Sequence, residues 1–151
     1  MPIEKMNSKP LFYRQETPNS CVPACLRMVL SGFGIHYSEA ELCQICDCTM
    51  FGTEAFQAVK AAHSLGFPKT NKYNLTLKDL TILLLDERYP IVYVELQPID
   101  QIFGTHAMVI LSIDEMTVYV LDPMIGERAL TRAAFEMGWT LTKGLTIVVN
   151  Q

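Results

Sequence analysis

A chain of 151 residues, half of them hydrophobic and 19% charged, has the length and composition of one folded domain. That balance excludes an intrinsically disordered chain, and a net charge of −4 with no Lys/Arg block gives no basis for nucleic-acid binding. The longest apolar runs, residues 82–85 and 107–111, fall short of the ~18 residues that a membrane-spanning helix needs. The N-terminal stretch carries Glu4, Lys5 and Lys9 and no apolar run, so it does not read as a secretory signal, and the expected location is the cytoplasm with residue 1 as the start. Five cysteines, an odd number without a signal peptide, argue against a disulfide framework and for free thiols.

Residues 1–14 show little periodicity and read as an N-terminal arm, followed by one domain over residues 15–151. Pro18-Asn19-Ser20 signals a turn and a helix cap. From Cys21, the apolar residues Val22, Leu26, Val29, Leu30 and Phe33 recur at helical spacing. Pro23 suits the first turn of that helix, and Gly32 and Gly34 end it. Ser38 with Glu41 forms a capping box for a short helix through Ile45. Thr53 is the expected cap of a third helix stopping at Gly66, and Thr76 of a fourth over residues 77–85. Pro90 closes the helical half. Residues 91–96, 105–113, 117–121 and 145–149 read as strands, the middle two joined by a hairpin loop at Asp114-Glu115-Met116. Residues 131–137 form one or two helical turns. The expected class is α+β, with N-terminal helices packed on a C-terminal antiparallel sheet.

Among the cysteines, Cys21 stands where a turn enters a helix. Its sulfur lies near unpaired N–H groups and the positive end of the helix dipole, both of which favour the thiolate that attacks acyl groups. Cys25, one turn deeper, reads as a small buried hydrophobe. His106 opens an apolar strand and Asp122 closes the next. A loop over Ile113, Asp114 and Glu115 would pair the two directly across the strands. Asp122 would then hold the histidine Nδ1–H and leave Nε2 to take a proton from a thiol. Amide hydrolysis also needs donors for the developing oxyanion, for which the Cys21 backbone N–H and the side-chain amide of Gln15, six residues earlier, are candidates.

The segment Gln15-Glu16-Thr17-Pro18-Asn19-Ser20-Cys21-Val22-Pro23-Ala24-Cys25-Leu26 resembles the active-site segment of the bacteriocin-processing cysteine peptidases, papain-like enzymes best known as domains fused to ABC exporters that cut leader peptides after Gly-Gly. Gly104-Thr105-His106-Ala107-Met108 resembles their histidine strand, and Val120-Leu121-Asp122-Pro123 with Gly126 the Asp-Pro segment after it. Phe135 and Trp139 fit the aromatic positions before the last strand. The resemblance implies a papain-like fold and a cysteine peptidase with a Cys21-His106-Asp122 triad, a Gln15 oxyanion donor and a peptide or protein substrate. Exporter-linked members carry Asp-Cys-Gly at the nucleophile, where this chain has Ser20-Cys21-Val22, so it resembles a free-standing relative.

Other readings use the same residues or different ones. The triad could pass its acyl group to an amine rather than water, as an acyltransferase, or the fold could hold peptides without cutting them. Cys43, Cys46 and Cys48, with His36 or His63, could bind a metal or sense oxidants. Their spacing lacks a second matching pair, and the i, i+3 relation of Cys43 and Cys46 suits a helix core, so no metal or cofactor is assigned. Asp100 to Gly104 reads as a plain connection ahead of the histidine strand.

Overall fold

The computed structural model describes residues 7–151, and residues 1–6 of the expected arm lie outside it. The helical half forms α1 (Cys21–Gly32), α2 (Glu39–Ile45), α3 (Ala55–Ser64) and α4 (Leu77–Leu85), with a short strand β1 (Asn71–Asn74) between the last two. Local chemistry sets their ends. Ser38 and Glu41 form the expected capping box on α2, and Thr76 with Asp79 forms another on α4. The N-cap of α3 is Glu54, boxed with Gln57, rather than the expected Thr53. Thr53 is buried, and its carbonyl accepts from the Tyr93 hydroxyl at 3.2 Å, so its backbone is drawn into the interior one residue before the helix begins.

Past Pro90 the chain forms β2 (Ile91–Glu95), a short helix α5 (Gln97–Asp100), β3 (Thr105–Ile113), β4 (Thr117–Asp122), β5 (Gly126–Thr131), α6 (Arg132–Thr140) and β6 (Leu145–Val148). The strands make one six-stranded sheet in the order β1-β6-β2-β3-β4-β5, every pair antiparallel. Alternating side chains give each face its own core. Ile91, Tyr93, Ala107, Val109, Leu121 and Ile147 pack with α1, α2 and α3. Val92, Val94, Met108, Ile110, Val118 and Val120 pack with Leu80 of α4 and Phe135 and Trp139 of α6. The sheet therefore carries helices on both faces, which is why its central strands are apolar at nearly every position.

The β3–β4 hairpin differs from the expected register. Asp114 closes the loop by accepting from the N–H groups of Met116 and Thr117 through its side chain, and a bulge falls between Ile110 and Ser112. Beyond the bulge Val109 pairs with Leu121, which sets Asp122 level with Met108 rather than with His106. His106 and Asp122 remain on one face but stand diagonal to each other.

The segment ahead of α1 is stitched to the body. Ser8 N–H donates to the Gly32 carbonyl at 2.8 Å, Leu11 N–H to Ser31 Oγ at 3.0 Å, and Gln15 N–H to the Pro123 carbonyl at 2.8 Å. The last of these bonds joins the approach to α1 with the turn that follows Asp122.

Helix α6 lies close against β2 at Gly138, where an added Cβ would sit 2.6 Å from the Glu95 carbonyl oxygen and 3.1 Å from Ile99 Cδ1. In an open helix Gly→Ala is stabilising by ~1 kcal/mol. Here the clash reverses the sign: Gly138→Ala is expected to destabilise by ~1–3 kcal/mol, read as a lower melting temperature. A higher melting temperature would show that the contact yields easily.

Candidate active site

Cys21 is the first residue of α1, and Ser20, its N-cap, makes no side-chain bond to the helix end. The Ser20 hydroxyl is engaged with Thr17 instead, accepting from its N–H and donating to its carbonyl, both at 3.1 Å. The first-turn N–H groups of a helix have no partners within the helix, so the positive end of α1 is left to act on the Cys21 sulfur. Cys21 is half-buried, whereas Cys25 is fully buried. Burial, then the charges of Cys21 and Asp122, push the Cys25 thiol well above the usual range and hold it protonated.

His106 and Asp122 are both buried, and His106 Nε2 lies 2.8 Å from Asp122 Oδ1. This reverses the ring expected from the sequence, in which Asp122 held Nδ1. The diagonal register is the reason. The carboxylate lies along the strand from His106 rather than beside it, so the far nitrogen of the ring is the one that reaches it. Nδ1 is thereby turned away from the carboxylate and is the nitrogen left for Cys21. Burial works against a charged imidazole, but hydrogen bonds to Asp122 and Cys21 and the negative charge of both outweigh it and raise the His106 pKa to about 9. Burial likewise raises Asp122, yet the His106 bond and charge, the Met124 N–H and Arg128 hold its carboxyl below the ordinary value.

Asp122 is braced on every side. Oδ1 also accepts from the Met124 N–H at 2.9 Å, and Oδ2 accepts from Arg128 at 3.1 Å. The guanidinium gives two further donors to Asp100, at 2.7 Å to Oδ1 and 3.1 Å to Oδ2. Neither Arg128 nor Asp100 was singled out from the sequence. Strand β5, which carries Arg128, has no strong apolar alternation, and Asp100 sits in what read as a plain connection. Glu39 was missed as well. It is buried, and both carboxylate oxygens accept from the Glu16 N–H at 3.0 Å, fixing the loop that leads into Cys21. Burial pushes its carboxyl up, opposed chiefly by the bond from the Glu16 N–H.

Cys21 and His106 line the same cavity, together with Phe51, Gly52, Thr53, Glu54, Phe56, Lys72, Tyr93 and Leu145. Phe51 stands 92% exposed at its rim, on a tight turn closed by bonds between Thr49 and Gly52. The lining does not include Gln15. Its Nε2 donates to the Thr17 carbonyl at 2.8 Å, its Oε1 is buried without a partner, and its main chain is held to Pro123.

The remaining cysteines lie elsewhere. Cys46 is core, Cys48 Sγ contacts Thr53 Oγ1 at 2.9 Å, and Cys43 is raised to about 12 by burial and then by its bond with Cys48. His63 Nε2 sits 2.7 Å from the Thr70 carbonyl oxygen. Among the described residues no three His, Cys, Asp or Glu side chains are grouped so as to hold a metal ion. No helix of the described chain is long and apolar enough to cross a membrane.

The sequence model of the Peptidase C39 family matches residues 10–151. A protein of unassigned function from Methanothermobacter marburgensis is 30% identical over 143 residues, covering 93% of this chain and 89% of its own. The crystal structure of the peptidase domain of Streptococcus ComA, a bifunctional ABC transporter involved in quorum sensing, superposes with a TM-score of 0.72 at 26% identity, covering 92% of this chain and 97% of that one. A double glycine motif protease from an AMS/PCAT transporter, crystallised with its leader peptide, shares the fold with a TM-score of 0.76 at 19% identity, covering 94% of this chain and 91% of that one.

The raised His106 pKa has a sign that can be checked. A ring charged up to about 9 in the folded chain, against 6.5 ordinarily, adds stability that is complete below about 6.5 and is lost as pH rises through about 9. An NMR titration of the His106 ring is expected to give a midpoint near 9, and Cys21→Ala, which removes one of its two partners, is expected to lower it. A midpoint unmoved by Cys21→Ala would place the thiol out of reach of the ring.

Proposed function

Because the chain belongs to the C39 peptidase family and is a papain-like cysteine-peptidase domain, we propose that it hydrolyses a peptide bond with Cys21 as nucleophile, His106 as the proton-transfer group and Asp122 as the group that orients the ring. The observation that carries this reading is the buried His106–Asp122 bond beside a cavity that His106 and Cys21, at a helix N-terminus, line together.

Catalysis begins from a Cys21 thiolate beside a His106 imidazolium. Sγ attacks the substrate carbonyl carbon, and the carbonyl electron pair moves to oxygen. The Cys21 backbone N–H is one donor for that oxyanion. Gln15 is the second: an amide NH₂ has two N–H groups, and only one is engaged by Thr17. As the C–N bond breaks, the proton on His106 Nδ1 passes to the leaving amine, and a thioester to Cys21 remains. Nδ1 then accepts a proton from water as the water attacks the thioester, which frees the acid and restores the ion pair. Throughout, Asp122 keeps Nε2–H bonded, so that Nδ1 is the nitrogen that exchanges protons.

The substrate is a peptide, and the similarity to the ComA peptidase domain and to the leader-bound double glycine motif protease supports a leader peptide cut after Gly-Gly, with an exporter as the partner that receives the product. Tyr93 and Thr105 line the cavity beside the reacting groups, where residues as small as glycine would fit, and Phe51 and Phe56 offer apolar contact to residues before the cut. The working domain takes in residues 15–151.

A fluorogenic peptide with a coumarin amide after Gly-Gly is the direct assay. Cys21→Ala is expected to abolish turnover while leaving the melting temperature near that of the parent chain. Limiting iodoacetamide, read by peptide mass, is expected to label Cys21 before Cys25. Turnover that survives Cys21→Ala, or label appearing first on Cys25, contradicts the nucleophile assignment.

A further inference from the structure

Asp122 has two equivalent oxygens, and a carboxylate with one partner can rotate about its terminal bond at little cost. Here rotation is blocked by a division of labour: Oδ1 takes His106 Nε2 and the Met124 N–H, and Oδ2 takes Arg128. Arg128 reaches Asp122 from β5, the strand next to β4, and is itself held bidentate by Asp100 at the end of α5. Its side chain is only 20% exposed, and the Asp100 bond, ahead of the Asp122 bond, raises its already high pKa, so it is charged at every working pH.

A lone arginine on Asp122 would create a difficulty. Its positive charge would offset the negative charge that keeps His106 protonated. Asp100 removes the difficulty by taking up the guanidinium charge with the shorter of the two contacts, 2.7 Å against 3.1 Å. The hydrogen bond then reaches Asp122 while most of the carboxylate charge is left facing the ring.

We propose that Arg128, charge-balanced by Asp100, is a positioning residue that locks the Asp122 carboxylate toward His106 Nε2. The inference deepens the triad reading and rests on it for its bearing on catalysis, but the lock itself is a property of the three side chains. Arg128 is not among the residues that line the cavity of Cys21 and His106. It acts by keeping the ring in the one tautomer and orientation that presents Nδ1 to Cys21, and an error of about 1 Å in such a placement costs on the order of 10²-fold in rate.

The test is an exchange measurement on the full chain. The Nε2–H proton of His106 is expected to give a downfield NMR resonance protected from solvent exchange. In Arg128→Met that protection is lost and turnover of the Gly-Gly coumarin peptide falls on the order of 10²-fold with KM little changed. Arg128→Lys, which keeps one N–H donor for Asp122, restores part of both. Wild-type protection in Arg128→Met overturns the lock. Should Arg128→Met fail to fold, Asp100→Asn decides. It leaves the guanidinium charge uncompensated beside Asp122, so the His106 titration must fall below its value of about 9, and an unmoved titration overturns the proposal. The triad reading is tested separately by Asp122→Asn. If that variant turns over at the parent rate, Asp122 has no part in the chemistry, whatever the exchange measurement says about Arg128.

Discussion

A histidine and an aspartate, both withdrawn from water on neighbouring strands, share one short hydrogen bond, and the arrangement of the site follows from what that bond requires. A buried carboxylate is tolerated only with its lone pairs satisfied. Asp122 meets the condition through His106, the Met124 N–H and Arg128. A buried imidazole can stay charged only if negative groups outweigh desolvation, and Asp122 and Cys21 together do so. Each partner depends on the others, so the cluster is held as a unit by three parts of the chain distant in sequence: the α1 entrance, the β3–β4 pair and β5.

The scaffold supplies these parts with few adjustments. The Asp114 loop shifts the hairpin register, and the bulge in β3 brings Asp122 back to the face that carries His106, so the expected side-by-side pair becomes a diagonal one. The diagonal decides which ring nitrogen meets the carboxylate and therefore which one faces the cleft. On the other side, Glu39 holds the Glu16 N–H and the Gln15 N–H is tied to Pro123. The loop before Cys21 is thus fastened both to α2 and to the turn after Asp122, so nucleophile and ring partner are braced against each other through the backbone as well as through the cleft.

Much of this was legible in the residues because it is written in short-range rules. The cap boxes at Ser38 and Thr76, the helical spacing after Cys21 and the apolar strands at 91–95 and 105–113 depend on neighbours a few positions apart. Cys21, His106 and Asp122 were singled out because each stands at the end of such an element. What escaped notice depends on distant partners. Strand β5, Gly126–Thr131, carries adjacent charges at Glu127 and Arg128 and a single buried residue, Leu130, and is a strand because it lines the edge of β4. Arg128 and Asp100 lie 28 positions apart and have meaning only once β5 and α5 are side by side. Glu39 stands in the first turn of α2, where an acid is ordinary, and nothing local says that it is buried under the Glu16 loop. The ring orientation was misjudged for the same reason, since the loop closed at Asp114 and the bulge in β3 together set a different register.

The most direct trial of the account is a crystal structure of the protein reacted with a peptide aldehyde ending in Gly-Gly. A single covalent bond from Cys21 Sγ to the aldehyde carbon is expected, with His106 Nδ1 within about 3–4 Å of the sulfur and Nε2 still bonded to Asp122. An adduct on Cys25, or a ring turned so that Nε2 faces the sulfur, would contradict it.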